Sequence, residues 1–224
     1  MTDKKILELI EKLKKEKAQK ELSRQWRIWC KRKKDLKDRE RIAIEAILTQ
    51  RTNWKNVEKA MKNLERAGVY LKEIKEIGNK DITLLYPLLK PCGFYNKKAK
   101  YLYNLACFFA EFGFDIGKMM QEDALTLRKK LLKIEGIGKE TADSILLYAL
   151  DKPLFVVDEY TRRLVRDFAR KKGLSIPLSY EKLRKLFEEL LKGDFRAYQD
   201  VHAAIVVYGK QNRKNKNKEE KNGK

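Results

Sequence analysis

Apolar residues recur at helical spacing along almost the whole chain. Ile6, Ile10 and Leu13 open the pattern, Ile42, Ala46 and Ile47 continue it, and a further stripe runs through Val57, Ala60, Met61 and Leu64. Residues 154–157 (Leu-Phe-Val-Val) form the best strand-like run, but they lie between helical patterns and have no partner run nearby. They are expected to be a buried connector. Gly68, Gly78, Pro87, Pro91, Gly93, Gly113, Gly136, Gly138, Pro153, Gly173 and Pro177 punctuate the chain into about ten short helices. The predicted fold is all-α.

With 224 residues, 43% of them hydrophobic, the chain is large enough to bury a core in one domain or two small helical lobes. Lys and Arg number 53 against 32 Asp and Glu, a net charge of +21 that favours a polyanionic partner. A surface merely rich in both Lys and Glu would leave the two signs closer to balance. Two segments are charge-dense: residues 31–41 (KRKKDLKDRER), read as a solvated helix face or a nucleic-acid-facing surface, and the tail 210–224. The tail is expected to be disordered. No apolar run approaches the roughly 20 residues needed to span a bilayer, and the charged start has no signal-peptide pattern, so an intracellular (cytoplasmic) location is expected. Cys30, Cys92 and Cys107 are far apart and show no metal-binding spacing, so buried reduced thiols are expected.

The stretch from Leu131 to Leu164 concentrates the chemistry. An apolar helix end (Leu131, Leu132, Ile134) runs into Gly136-Ile137-Gly138, where two glycines suit a tight turn between helices. A new helix then carries Ala142, Ile145, Leu146 and Ala149 on one face, and the free N–H groups at its start suit a phosphate. Beyond it, Val156-Val157 deliver Asp158 to the mouth of a third helix continuing through Tyr160, Leu164 and Phe168. Each signal alone is weak, since an Asp at a helix start is more often an N-cap than a catalyst.

In this order and spacing, these residues resemble the helix-hairpin-helix (HhH-GPD) superfamily of DNA glycosylases, endonuclease III-like proteins among them. The resemblance covers most of the chain. It implies that the hairpin grips the DNA backbone through Gly136, Ile137, Gly138, Lys139 and Thr141, and that Asp158 is the catalytic carboxylate at a base pocket. Upstream, Ala46-Ile47-Leu48-Thr49-Gln50 resembles the family segment whose polar residue enters the space vacated by a flipped nucleotide, a place that falls to Gln50.

Two departures narrow the chemistry. Strand-cutting members carry a lysine where this chain has Glu140, and a carboxylate forms no imine with the sugar. Lys139, displaced by about 100° around the helix, is expected to face the backbone phosphate. The chain also has no cysteine after Cys107, so the C-terminal iron–sulfur cluster common in endonuclease III-like proteins is not implied, and no metal or other cofactor is expected. Leu48-Thr49-Gln50, residues 91–100 (PCGFYNKKAK) and residues 136–143 (GIGKETAD) are most similar to the 3-methyladenine DNA glycosylase III branch. That likeness implies a base pocket of aromatics, here Trp54 with Trp26 and Trp29, although the latter two depart from the branch's spacing. Lys210 is a further pocket candidate, and His202, between Val201 and Ala203, reads as a satisfied, partly buried side chain.

The resemblance therefore predicts a monofunctional N-glycosylase of base excision repair, a monomer acting on double-stranded DNA that contains a damaged base. A cationic alkylated purine such as 3-methyladenine stacks on indole and leaves without a protein acid. A bifunctional glycosylase/AP lyase using another amine, a uracil or thymine mismatch glycosylase, and a non-catalytic DNA-binding protein are the competing readings. The expected architecture is a helical lobe of residues 40–149 ending in the hairpin, a second lobe of residues 1–39 plus 150–212, a disordered basic tail at 213–224, and an active site in the cleft between the lobes.

Overall fold

The computed structural model describes residues 6–13 and 24–222, and the described residues are helical with no strand. Residues 1–5, 14–23 and 223–224, which belong to the expected second lobe and tail, lie outside the described residues. The chain divides into two compact units.

One unit spans Lys31–Lys152. Its helices are α3 (Leu36–Leu48), α4 (Trp54–Arg66), α5 (Leu71–Asp81), the short α6 (Tyr86–Leu89), α7 (Tyr95–Ala110), α8 (Ile116–Gln121), α9 (Ala124–Leu131) and α10 (Lys139–Ser144). α10 runs on into a wider helical turn at Ile145–Ala149. α3 begins with a capping box at Asp35 and Asp38, then buries every residue from Ile42 to Leu48. That explains its composition: a helix surrounded by others has no solvent face to keep polar. The one carboxylate in this stretch, Glu45, is 0% exposed and accepts from Arg41 at 2.8 Å. α5 approaches α7 closely because Gly78 has no side chain; a Cβ there would lie 2.2 Å from the Tyr103 ring.

The other unit comprises the described residues of Met1–Cys30 and Pro153–Lys224. It holds α1 (residues 6–13), α2 (Arg24–Trp29), α11 (Glu159–Lys172), α12 (Tyr180–Leu190) and α13 (Phe195–Asn222). Ile6, Ile10 and Leu13 are all buried, as their spacing predicts. Phe155 is central: it stacks on Phe187 at 4.4 Å and meets Tyr198 edge-on at 5.8 Å.

Three expectations change. Residues 31–39 join the first unit, since two cations of the basic run turn inward while Lys31, Arg32, Lys33 and Lys37 stay exposed: the Lys34 side chain is 1% exposed and pairs with Asp151 at 2.9 Å. Arg39 joins the same carboxylate at 2.8 Å and donates to Ala149 O. The tail does not break into coil at residue 213, because α13 continues to Asn222 through Lys, Glu and Arg, all good helix formers, with no proline. Cys92 is buried, but Cys30 and Cys107 are only half-buried, all three as free thiols. Asp151 adopts φ +51°, so the turn after the hairpin helix is held by its two cations rather than by backbone preference. Asp151→Ala removes the carboxylate that Lys34 and Arg39 share and is expected to lower stability by about 3 kcal/mol, read by thermal or denaturant unfolding.

Candidate active site

In the second unit the connector 154–157 is buried throughout and its backbone is pinned by α12. Phe155 N donates to Glu188 Oε1 at 2.9 Å, and Arg184 holds that carboxylate in turn through two bonds of 2.7 Å. The connector thereby delivers Asp158 as the N-cap of α11, where Oδ1 accepts from Thr161 N at 2.7 Å and Thr161 Oγ1 at 3.0 Å. The other oxygen, Oδ2, faces His202 Nε2 from α13 at 3.6 Å, too long for a hydrogen bond but close enough for electrostatic attraction.

Burial by itself pushes the Asp158 carboxyl up. The nearby His202 imidazole and the two Thr161 bonds outweigh that and hold it below the usual carboxylate range. A carboxyl held down in the folded state adds stability at neutral pH, and that stability is lost as pH falls through its folded value. The group is therefore an anion at neutral pH, as required to stabilise a cationic sugar or to orient water.

Trp26 meets His202 edge-on at 6.0 Å and Trp29 at 5.9 Å. Both indoles are nearly inaccessible, 2% and 3% exposed: Trp26 packs between His202 and Trp29, and neither presents an open face for stacking a base. On α13, Gly209 lies against Tyr160, where a Cβ would come within 2.4 Å of the ring. That contact sets the α11–α13 approach and brings the exposed Lys210 to the same end of α11 as Asp158.

In the first unit the two hairpin glycines, alike in sequence, are built differently. Gly136 has φ +93°, and a Cβ there would lie 2.1 Å from the Tyr101 ring, so glycine is required twice over. Gly138, the N-cap of α10, is extended (φ −86°, ψ 179°), and a Cβ added there would meet nothing within 4 Å, so no steric constraint asks for glycine at this position. Ile137 between them is buried. Arg128 clamps Asp143 at 2.6 and 3.1 Å, bracing α9 against α10.

Gln50 reaches this hairpin: its Nε2 donates to Gly136 O at 2.9 Å and to Thr141 Oγ1 at 3.0 Å. Thr141 is accordingly buried (8% exposed), an internal brace rather than an open contact. Lys139 and Glu140 are exposed in the first turn of α10. Trp54, half-buried, begins α4 just after the Asn53 cap. Sequence reasoning missed Lys98, which looks like one more surface lysine among Lys97 and Lys100 yet is 2% exposed. It also missed Phe94, 61% exposed and left-handed at φ +47°, for which Gly93 was the available signal.

The pattern of HhH-GPD superfamily base excision DNA repair proteins matches residues 44–192. The chain belongs to that superfamily. A candidate DNA repair glycosylase of Methanocaldococcus jannaschii is 45% identical over 171 residues, 75% of this chain and 76% of its own. Endonuclease III of Thermotoga maritima is 28% identical over 171 residues, 76% of this chain and 72% of its own. Among solved structures, the H. pylori 3-methyladenine DNA glycosylase bound to 1,N6-ethenoadenine superposes with a TM-score of 0.73 at 28% identity, covering 92% of this chain and 97% of that one. As an HhH-GPD member with glycosylase relatives, the protein is a DNA glycosylase of base excision repair and acts on DNA. No described helix is long and apolar enough to cross a membrane.

The two hairpin glycines should respond oppositely to alanine. Gly136→Ala forces both a clash and a strained φ and should destabilise the fold by about 1–3 kcal/mol. Gly138→Ala should change stability by less than about 1 kcal/mol, yet weaken duplex binding, because the space it fills is where a phosphate would approach the backbone. Paired unfolding and DNA-binding titrations check both halves.

Proposed function

We propose that this glycosylase is monofunctional: it flips a damaged base out of the duplex and releases it by hydrolysis, leaving the sugar–phosphate strand intact. The observation that carries the reading is Glu140, an exposed carboxylate in the first turn of α10 at the place where strand-cutting relatives have their lysine. A carboxylate there cannot attack the sugar as an amine does. Asp158 supplies the anion that hydrolysis needs: as the glycosidic bond lengthens, positive charge gathers on the sugar, and the ionised carboxylate stabilises it while orienting water.

The preferred substrate is an alkylated purine of the 3-methyladenine class. A purine nucleoside alkylated at N3, as in 3-methyladenine, is cationic, so the electron-rich face of the half-buried Trp54 attracts it, and it departs as a neutral base without a protein acid. The 28% likeness to a 3-methyladenine glycosylase holding an ethenoadenine supports the same class. His202 is poorly placed to protonate a leaving base, since it is 4% exposed and faces Asp158. In the DNA grip, Lys139 and the exposed backbone at Gly138 receive a phosphate. Gln50 and Thr141 hold the hairpin in the shape that presents them.

Duplexes carrying 3-methyladenine, ethenoadenine, uracil opposite guanine and 8-oxoguanine test both parts together. The expected result is fastest release of the alkylated purine, with strand breakage only after added alkali and no covalent complex trapped by borohydride. A trapped adduct with the unmodified protein would assign an amine nucleophile, with Lys139 first in line, and overturn the monofunctional reading.

A further inference from the structure

Among the described residues, Lys98, in the first turn of α7, is the most deeply buried cation of its unit that meets no carboxylate. Its Nζ donates to Leu48 O at 2.7 Å, to Cys92 O at 3.1 Å and to Thr52 Oγ1. An ammonium has three protons to give, and here all three find acceptors, which is the condition for keeping a cation out of water. Burial pulls the Lys98 pKa below the usual lysine value, with the Cys92 thiol opposing it.

The acceptors are not neighbours in sequence. Leu48 O belongs to the last turn of α3, where helix carbonyls lack their own partners and carry the negative end of the helix dipole. Thr52 follows the left-handed Arg51 (φ +51°), and its hydroxyl donates to Cys92 O at 2.7 Å, closing the network. Cys92 precedes Gly93 and Phe94, two consecutive residues at positive φ, +62° and +47°. The Cys92 thiol also donates to Asn56 O at 3.5 Å, tying the same turn to α4. One side chain thus fastens two irregular segments: the one with Gln50 and Trp54, and the one with the strained, exposed Phe94. Each segment has only single-turn bonds of its own, such as Thr52 N to Thr49 O at 3.1 Å and Gly93 N to Lys90 O at 3.2 Å, so the Lys98 bonds add the constraint that joins them.

We propose that Lys98 is a positioning residue for lesion recognition, locking the Gln50–Trp54 segment and the Gly93–Phe94 turn into one preformed unit that meets the distorted DNA around the extruded nucleotide. This rests on the proposed reading that the Gln50–Trp54 segment borders the lesion, Trp54 by stacking and Gln50 by bracing the hairpin beside it. The physical gain is preorganisation: segments already ordered lose little entropy when the extruded nucleotide binds, so the clamp strengthens binding of distorted DNA and leaves the phosphate grip on intact duplex unchanged.

The test compares Lys98→Met, which keeps the stem and removes the donors, with Asp151→Ala, a destabilising change at another place in the same unit. For each protein, affinity is measured for an undamaged duplex and for one carrying a tetrahydrofuran abasic analogue, with 2-aminopurine beside the lesion to report local unstacking. Lys98→Met should cut the preference for the abasic duplex about tenfold and suppress the 2-aminopurine rise, while affinity for intact duplex stays within about twofold. Asp151→Ala should keep both the preference and the fluorescence change. Thr52→Val, which deletes one acceptor, should move in the same direction by a smaller factor and serves if Lys98→Met does not fold. An unchanged preference in Lys98→Met, or in Thr52→Val should the first not fold, would reduce Lys98 to structural support. A wild-type protein that shows no preference for the abasic duplex would instead overturn the reading that the Gln50–Trp54 segment borders the lesion, on which the proposal rests.

Discussion

A carboxylate removed from water must be compensated at once, and the second unit is organised around doing so for Asp158. The side chain sits at the start of a helix, where unpaired N–H groups favour negative charge, and Thr161 supplies two bonds to a single oxygen. His202 faces the other oxygen, itself held between the edges of Trp26 and Phe155. Each partner comes from a different element: α11, α13, α2 and the connector that α12 pins through Glu188 and Arg184. The packing of this unit is therefore tied to the site, because each of these elements positions a group around one oxygen pair.

The first unit solves another problem, presenting backbone rather than a side chain. Its hairpin needs a glycine at 136 because Tyr101 occupies the space above it, and it is braced from below by Arg128 on Asp143 and by the amide of Gln50. At Gly138, the N-cap of α10, no neighbouring atom excludes a side chain, so what glycine adds there is an uncovered stretch of backbone at a helix start. That contrast separates a glycine required by its neighbours from one that leaves backbone open, the place where the proposed phosphate contact falls. The same logic distinguishes basic residues of equal charge. Lys34 and Arg39 serve Asp151, Lys98 serves three oxygens, and Lys139 stays on the surface.

Much of this was legible in the sequence, and for identifiable reasons. Helical spacing through Ile42, Ile47, Val57 and Leu64 marked core positions because a 3.6-residue period leaves little choice of face. The connector before Asp158 was legible from four apolar residues without a pairing partner. What could not be seen was direction. A run of lysines and arginines looks solvated unless its partner is known, and Asp151 lies more than a hundred positions from Lys34 and Arg39. Lys98 was hidden for the same reason among Lys97 and Lys100. Trp26 and Trp29 were expected at a base pocket from likeness, whereas their burial depends on α13, which no local pattern reveals. Both hairpin glycines looked alike, and only the backbone angles tell them apart.

In the proposed reaction the ionised Asp158 carboxylate drives base release. Asparagine at this position keeps the N-cap, since Asn and Asp cap helices about equally well, and so removes the charge with little change to the fold. The decisive measurement is single-turnover release of an alkylated purine by Asp158→Asn, beside its melting temperature and its affinity for the same duplex. The account predicts a loss of at least about a hundredfold in release rate, with folding and binding largely kept. A variant that binds DNA and still releases the base at a rate near that of the wild type would contradict it.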